Sequence, residues 1–203
     1  MEPVCLWLEF LEVAIHNILY YTNLYPRNIF DLKKKYNVPI HVINHAGLNQ
    51  YIENVLNAVN FLAKKDQLNQ VQLQISDEKD NPLQSYVFKI IRLQNEAQEL
   101  ETSTDPFLVR MENAFQAFLV KLSTTTRSEM SALPENSQFE LVLQLKDCYF
   151  VSNDEGDDQN FQKYQWTSQE NAFAPKDSRI IPLEAVNTSF MEMEMYIEDC
   201  VQR

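Results

Sequence analysis

The chain has 203 residues, 45% of them apolar, and a formal net charge of −12 from 29 acidic and 17 basic side chains. This suits one sizeable folded domain, or a tight pair of domains, with a core of its own. The acidic balance argues against direct nucleic-acid binding, because phosphate contacts need clustered Lys and Arg and the longest basic run is Lys33-Lys34-Lys35. The two glycines exclude the dinucleotide fingerprint and the phosphate-binding loop, and no apolar run reaches the length of a membrane span.

Helices are predicted where apolar residues recur every three or four positions, and strands where they alternate with polar residues. In chain order these are a helix over 3–23, an extended segment over 29–43, a helix over 47–65, a β-hairpin with strands at 71–75 and 86–90, a helix over 106–123, a strand over 139–145, and strand-like segments at 180–183 and 191–197. The strand over 139–145 is expected to lie centrally in a sheet. Polar acidic loops are predicted at 95–105 and 153–158. This order predicts an α+β domain, with three helices packed on one face of an antiparallel sheet.

The residue types that catalyse reactions or bind metals are scattered along the chain. His16, His41 and His45 have no cysteine or second histidine at metal-ligand spacing, and His45 is placed to help cap the second helix. The loop at 153–158 lacks the order of a calcium-binding EF-hand. Cys148 follows a strand, where nucleophiles commonly stand, but no positioned base accompanies it. The sequence therefore predicts a protein that is not an enzyme and that binds no metal or cofactor. The alternative from a different functional class is a hydrolase that uses Cys148.

Trp166 and Tyr164 lie in a polar segment without helical periodicity. Tyrosine and tryptophan are common at interface hot spots, because they combine a large apolar area with a polar group. Composition alone leaves two interpretations of Trp166 open, a contact with a partner or a cap on the sheet.

Two strings of residues resemble one family closely, K-K-Y-N-V-P at 34–39 and L-N-Q-Y-I at 48–52, and similar blocks extend from residue 8 to residue 198. On these motifs the chain is similar to the HORMA-domain accessory subunit of translesion DNA polymerase zeta, in the mitotic-arrest-deficient-like family. The resemblance implies a HORMA fold and a single domain over 1–203. Its core would cover 1–145, and a mobile C-terminal "safety belt" over 146–203 would wrap around an extended peptide of a partner.

The resemblance also implies which residues bind partners. Tyr51 and Trp166 would contact a proline-containing peptide of the polymerase catalytic subunit. Ile180, Glu194 and Tyr196 would receive the C-terminal domain of a Y-family scaffold polymerase, and Glu194 stands where the family has a neutral amide. The expected function is a non-catalytic adaptor that links these two proteins in translesion DNA synthesis.

Some members of this family pair through a central arginine of the third helix. Gln116 occupies that position here, and a neutral amide cannot form the charge-assisted hydrogen bonds of an arginine, which argues against a homodimer by this route. An AAA+ ATPase that remodels HORMA domains is a further expected partner, and the expected location is the nucleus and also the cytoplasm. The alternative within adaptors is a spindle-checkpoint or meiotic HORMA protein that clamps a different peptide.

Overall fold

The computed structural model describes residues 3–93, 106–146, 178–187 and 191–200. Its helices are α1 (Pro3–Tyr21), α2 (Ala46–Lys64) and α3 (Pro106–Ser128). Its strands are β1 (Phe30–Lys35), β2 (Val38–Ile43), β3 (Leu68–Ser76), β4 (Pro82–Leu93), β5 (Gln138–Leu145), β6 (Ser178–Asn187) and β7 (Met191–Cys200). Both predicted acidic loops lie outside the described residues.

Five strands form one antiparallel sheet in the order β5-β3-β4-β7-β6, and β1 and β2 form a separate hairpin. The prediction that 139–145 lies centrally is wrong for the sheet that the described residues form, because β5 is an edge strand of it. Its alternating residues indicate that one face of the strand is buried. They carry no information on whether other strands pair with it on both sides. β5 and β6, the next described strand along the chain, lie at opposite edges of the sheet.

The three helices cover one face of the sheet, and α1 packs against both α2 and α3 while the β1–β2 hairpin packs against α1. Phe10 of α1 lies at the centre of this layer. Its ring stacks on Phe115 of α3 with centroids 3.9 Å apart, and it meets Phe88 of β4 and Phe118 of α3 edge-on. The predicted α+β arrangement of three helices on an antiparallel sheet is confirmed.

Helix α3 continues to Ser128, past the predicted end at residue 123. The extra turn contains consecutive threonines, which have low intrinsic helix propensity. The hydroxyls of Ser123 and Thr124 donate to the Val120 carbonyl at 2.8 and 3.2 Å, and Ser128 donates to the Thr124 carbonyl at 2.9 Å. Burial of Thr125 adds tertiary packing. Tertiary contacts therefore override the local propensity that ended the prediction early.

His16 is a buried titratable group that joins α1 to β2. Its side chain is 4% exposed, and its Nδ1 accepts a hydrogen bond from the Ile43 N–H at 2.8 Å. Burial, helped by the positive charge of Lys33, lowers the pKa of His16 from 6.5 to about 4. The unfolded chain therefore takes up a proton near pH 6.5 and the folded chain does so only near pH 4.

This difference makes stability depend on pH. The stability that neutral His16 gives is fully present above pH 6.5 and is lost as the pH falls from 6.5 towards 4. We expect His16 to lower the free energy of unfolding by about 2–3 kcal/mol between neutral pH and pH 4.5. In His16→Asn, which keeps an acceptor near the Nδ1 position but does not titrate, that part of the slope should vanish. Urea unfolding across this pH range measures it, and equal slopes in the two proteins would contradict the assignment.

Candidate peptide-binding edge

Among the described strands, β5 has a neighbour on one side only, β3, and its other side is called the free edge below. Leu141 faces Leu73 across the β3–β5 ladder, but its N–H points away from β3 and donates to the Tyr51 hydroxyl at 3.0 Å. In an antiparallel ladder the backbone groups of every second residue point to the same side. The backbone groups of Phe139, Leu141 and Leu143 therefore point to the free edge, where those of Phe139 and Leu143 can pair with an added strand while the Leu141 N–H is bonded to Tyr51.

Tyr51 stands beside this edge, on α2. Its ring packs edge-on against the Phe139 ring, with centroids 5.8 Å apart. The Tyr25 ring also packs edge-on against Phe139, with centroids 6.0 Å apart. Tyr51 is 37% exposed, so part of its ring faces solvent. Burial raises the pKa of Tyr51, with the Leu141 hydrogen bond acting in the opposite direction and the Glu140 charge adding to the rise. At neutral pH the phenol is therefore protonated, and it can donate its O–H while its oxygen accepts from Leu141.

The chain positions Tyr51 by capping α2 at its first residues. His45 has extended backbone angles and its side chain accepts a hydrogen bond from the Leu48 N–H at 3.3 Å, which confirms the predicted cap. The Asn49 amide also donates to the Ile43 carbonyl at 3.0 Å, so the start of α2 is joined to β2. These contacts fix the helix turn that carries Tyr51.

Tyr25 and Phe139 are neighbours of Tyr51 that sequence analysis misses. They come from the segment after α1 and from β5, far from Tyr51 in the chain, and nothing in their local patterns links them to it. The one available signal is that Phe139 begins an alternating strand. Trp166, the other peptide-contacting residue that the resemblance implies, lies outside the described residues.

The residues implied in docking the scaffold polymerase lie on the β6–β7 hairpin, facing away from the helices. The buried residues of β7 point inward and are Met191, Met193, Met195 and Ile197. Glu194 is exposed and Tyr196 is half-buried, so the predicted alternation is confirmed and Tyr196 is less exposed than the pattern suggests. Ile180, 63% exposed, faces Glu198, and Tyr196 faces Pro182. Ile180 and Tyr196 are therefore diagonal neighbours on one face.

Gln116 is half-buried on α3. It shares one side of the helix with two exposed apolar residues, Val109 at 55% and Val120 at 49%. Val109 precedes it by seven residues and Val120 follows it by four, and both separations return to within about 40° of the same side. This side of α3 presents no charge at position 116. The argument against pairing through this position stays a prediction.

The three histidines all have structural contacts. His16 bonds to β2 and His45 caps α2, and His41 stacks on the Tyr20 ring at 3.4 Å between centroids. Within the described residues, no group of three or more His, Cys, Asp or Glu side chains is arranged to hold a metal ion. None of the described helices is both long and apolar enough to span a bilayer. Cys148, the alternative nucleophile, lies outside the described residues.

In the described part of the chain, three helices cover one face of an antiparallel sheet that has β5 and β6 at its edges, and this arrangement defines an adaptor domain of the HORMA class. A profile of the HORMA domain matches residues 6–154, and the chain belongs to the HORMA-domain family. It is 31% identical to "Mitotic spindle assembly checkpoint protein MAD2B" of Homo sapiens, over 94% of this chain and 88% of the relative. It is 26% identical to "DNA polymerase zeta subunit 2" of Drosophila melanogaster, over 94% of both chains. The resemblance to the HORMA-domain accessory subunit of polymerase zeta is confirmed.

Solved structures share the fold. A chain in the crystal structure of the mitotic checkpoint complex superposes with a TM-score of 0.79, with 17% identity over 98% of both chains. C. elegans HTP-2 bound to the HIM-3 closure motif superposes with a TM-score of 0.74, with 11% identity over 95% of this chain and 88% of that one. At these identities the likeness establishes the fold alone, and the predicted HORMA fold is confirmed.

Proposed function

We propose that this chain is a non-catalytic accessory subunit of DNA polymerase zeta. In this role it captures an extended peptide of the catalytic subunit and connects it to a Y-family scaffold polymerase during translesion DNA synthesis, in the nucleus and also in the cytoplasm. The observation that carries the proposal is the free edge of β5 with Tyr51 held against it. The net charge of −12 supports a division of labour in which the partners bind DNA.

The peptide would join the sheet as an additional strand next to β5. Main-chain hydrogen bonds to Phe139 and Leu143 would supply affinity, and pockets for alternate side chains would supply specificity. The Tyr51 O–H would donate to a peptide carbonyl at the position where its oxygen already accepts from Leu141. The partly exposed rings of Tyr51 and Tyr25 offer flat apolar walls that suit the proline rings expected in this peptide. Residues 146–203 would then close over the peptide as the belt, with Trp166 in contact with it.

A scan of N-methylated peptides tests strand addition directly. N-methylation removes one main-chain donor at a time from a fluorescent peptide of the catalytic subunit, and anisotropy measures its affinity for the full chain. We expect methylation at every second residue to weaken binding by at least about tenfold, because those N–H groups face β5, and the residues between them to tolerate it. Equal tolerance at all positions would contradict strand addition.

The second candidate function is a spindle-checkpoint or meiotic HORMA adaptor. The name of the human relative and the fold shared with the mitotic checkpoint complex and with HTP-2 favour it. Mass spectrometry of the ligand that co-purifies with the chain from nuclear extract separates the two functions. We expect the polymerase catalytic subunit, and recovery of a checkpoint or meiotic protein instead would favour the second candidate. A HORMA-remodelling AAA+ ATPase is proposed as a further partner, and a homodimer through Gln116 is not.

The surface proposed for the scaffold polymerase gives a separate prediction. We expect Ile180→Ala combined with Tyr196→Ala to weaken binding of the scaffold polymerase C-terminal domain by about 2–4 kcal/mol, because both side chains lie on one outward face. Capture of the catalytic-subunit peptide should not change. Leu32→Ala, at an exposed apolar residue of the separate β1–β2 hairpin, is the control. Calorimetry measures both affinities, and equal scaffold affinity in the double variant and the wild type would contradict this surface.

A further inference from the structure

A cavity of about 280 Å³ lies between the end of α1, the start of β4, and the end of α3 with the segment that follows it. Its walls include Arg27, Arg127, Tyr21, Gln84 and Ser131, and none of the described residues that line it is acidic. The volume is at the lower end for ligand pockets, so it fits one side chain or a small ion rather than a cofactor. In a chain with 29 acidic residues, a wall without a carboxylate is a distinctive feature.

The two arginines are held in place by neighbouring tyrosines. Arg27 lies 5.0 Å from the centroid of the Tyr20 ring, and its Nε and Nη2 donate to Asn23 Oδ1 at 3.2 and 3.1 Å. Arg127 lies 5.5 Å from the centroid of the Tyr21 ring. The two tyrosine rings contact each other edge-on at 5.3 Å. Arg27 is therefore oriented by an aromatic and an amide contact, and Arg127 by an aromatic contact, before any ligand arrives.

Neither arginine forms an ion pair with the part of the chain that the structure describes. No carboxylate of the described residues lies within ion-pair distance of Arg27 or Arg127, whereas Arg179 pairs with Glu129 at 2.8 Å. Burial lowers the pKa of His41, and the charges of both arginines lower it further, so the two positive charges act on the same region. Arg127 in the last turn of α3 also complements the helix dipole. That effect does not account for Arg27, which begins a short 3-10 helix (Arg27–Ile29) between α1 and β1.

We propose that this cavity binds a carboxylate or phosphate group carried by a side chain of a partner protein. Arginine guanidinium groups bind these anions through paired, charge-assisted hydrogen bonds, and arginine clusters recognise acidic and phosphorylated peptide motifs. Charge complementarity selects the occupant, because among the described residues the wall holds two cations and no carboxylate to pair with them. The cavity shares no residue with the β5 edge, so this site is independent of the proposed peptide capture.

Nuclear magnetic resonance of the full chain tests the site. The arginine Nε–H signals and the backbone amides of 126–133 are followed while three short peptides are added, with phosphoserine, glutamate or serine at one central position. Inorganic phosphate is titrated separately. We expect saturable shifts of these signals with the phosphoserine or the glutamate peptide and none with the serine peptide. Which of the two anionic peptides binds more tightly distinguishes phosphate from carboxylate.

Matched variants assign the effect to the two arginines. Arg27→Gln and Arg127→Gln should each weaken binding at least about tenfold, the loss of one charge-assisted hydrogen bond, and Arg179→Gln should leave it unchanged. Circular dichroism verifies that each variant is folded. The proposal is overturned if no peptide gives saturable shifts, or if the arginine variants bind as the wild type does. Inorganic phosphate that binds as tightly as the best peptide would overturn the assignment to a partner's side chain.

Discussion

Tyr51→Ala should weaken capture of the catalytic-subunit peptide by about 2–4 kcal/mol, or about 30-fold to 1,000-fold. The change removes the ring that packs on Phe139 beside the free edge, and it removes the hydroxyl that accepts from the Leu141 N–H. Combined with Trp166→Ala, the loss should bring capture below detection while the fold remains. Isothermal calorimetry measures the affinity, and unchanged affinity in the double variant would refute this assignment of the site.

Tyr51→Phe separates the hydroxyl from the ring. It keeps the packing on Phe139 and leaves the Leu141 N–H without its present acceptor, so we expect a smaller loss of about 1 kcal/mol. In the free protein the Leu141 amide should exchange with solvent faster in this variant than in the wild type, which hydrogen exchange followed by NMR measures. Slow exchange in both proteins would show that the hydroxyl does not protect this amide.

Much of the fold could be predicted from local patterns. The β7 residues Met191, Met193, Met195 and Ile197 alternate, and that alternation identifies the buried face of the C-terminal hairpin. The position of β5 could not be predicted in the same way, because sheet order depends on which distant strands pair. The alternation of about five residues is enough to identify the buried face of a strand, but whether a strand lies at the edge depends on the pairing of all strands in the sheet.

The candidate site shows the same division. Tyr51 is identified by the resemblance of the L-N-Q-Y-I motif, and its contacts with Phe139 and Leu141 are visible only in the folded chain. The cavity lined by Arg27 and Arg127 could not be predicted from the sequence. The two arginines come from the turn after α1 and the last turn of α3, and neither forms part of a basic run. Clusters assembled from distant single charges leave no local sequence signal.

The largest effect on peptide release should come from the residues that dock the β6–β7 hairpin on the core. Ile181 is 7% exposed and packs inward, and Ile180 beside it is 63% exposed and faces out. Ile181→Ala should lower the free energy of unfolding by about 2–5 kcal/mol, because it leaves a cavity between the hairpin and the helices. Ile180→Ala is the matched control on the same strand and should change the free energy of unfolding by no more than about 0.5 kcal/mol.

If the β6–β7 hairpin must separate from β4 before a trapped peptide can dissociate, a variant in which the hairpin packs less tightly on the core has a lower barrier to peptide release. A loss of about 2 kcal/mol in the docked state then raises the dissociation rate about 30-fold in Ile181→Ala, and Ile180→Ala releases the peptide at the wild-type rate. Chasing a bound fluorescent peptide with an excess of unlabelled peptide measures these rates. An unchanged rate in Ile181→Ala, at a lower free energy of unfolding, would mean that the peptide leaves without moving the hairpin. The hairpin would then be part of the fixed core, and the belt would have to end before β6.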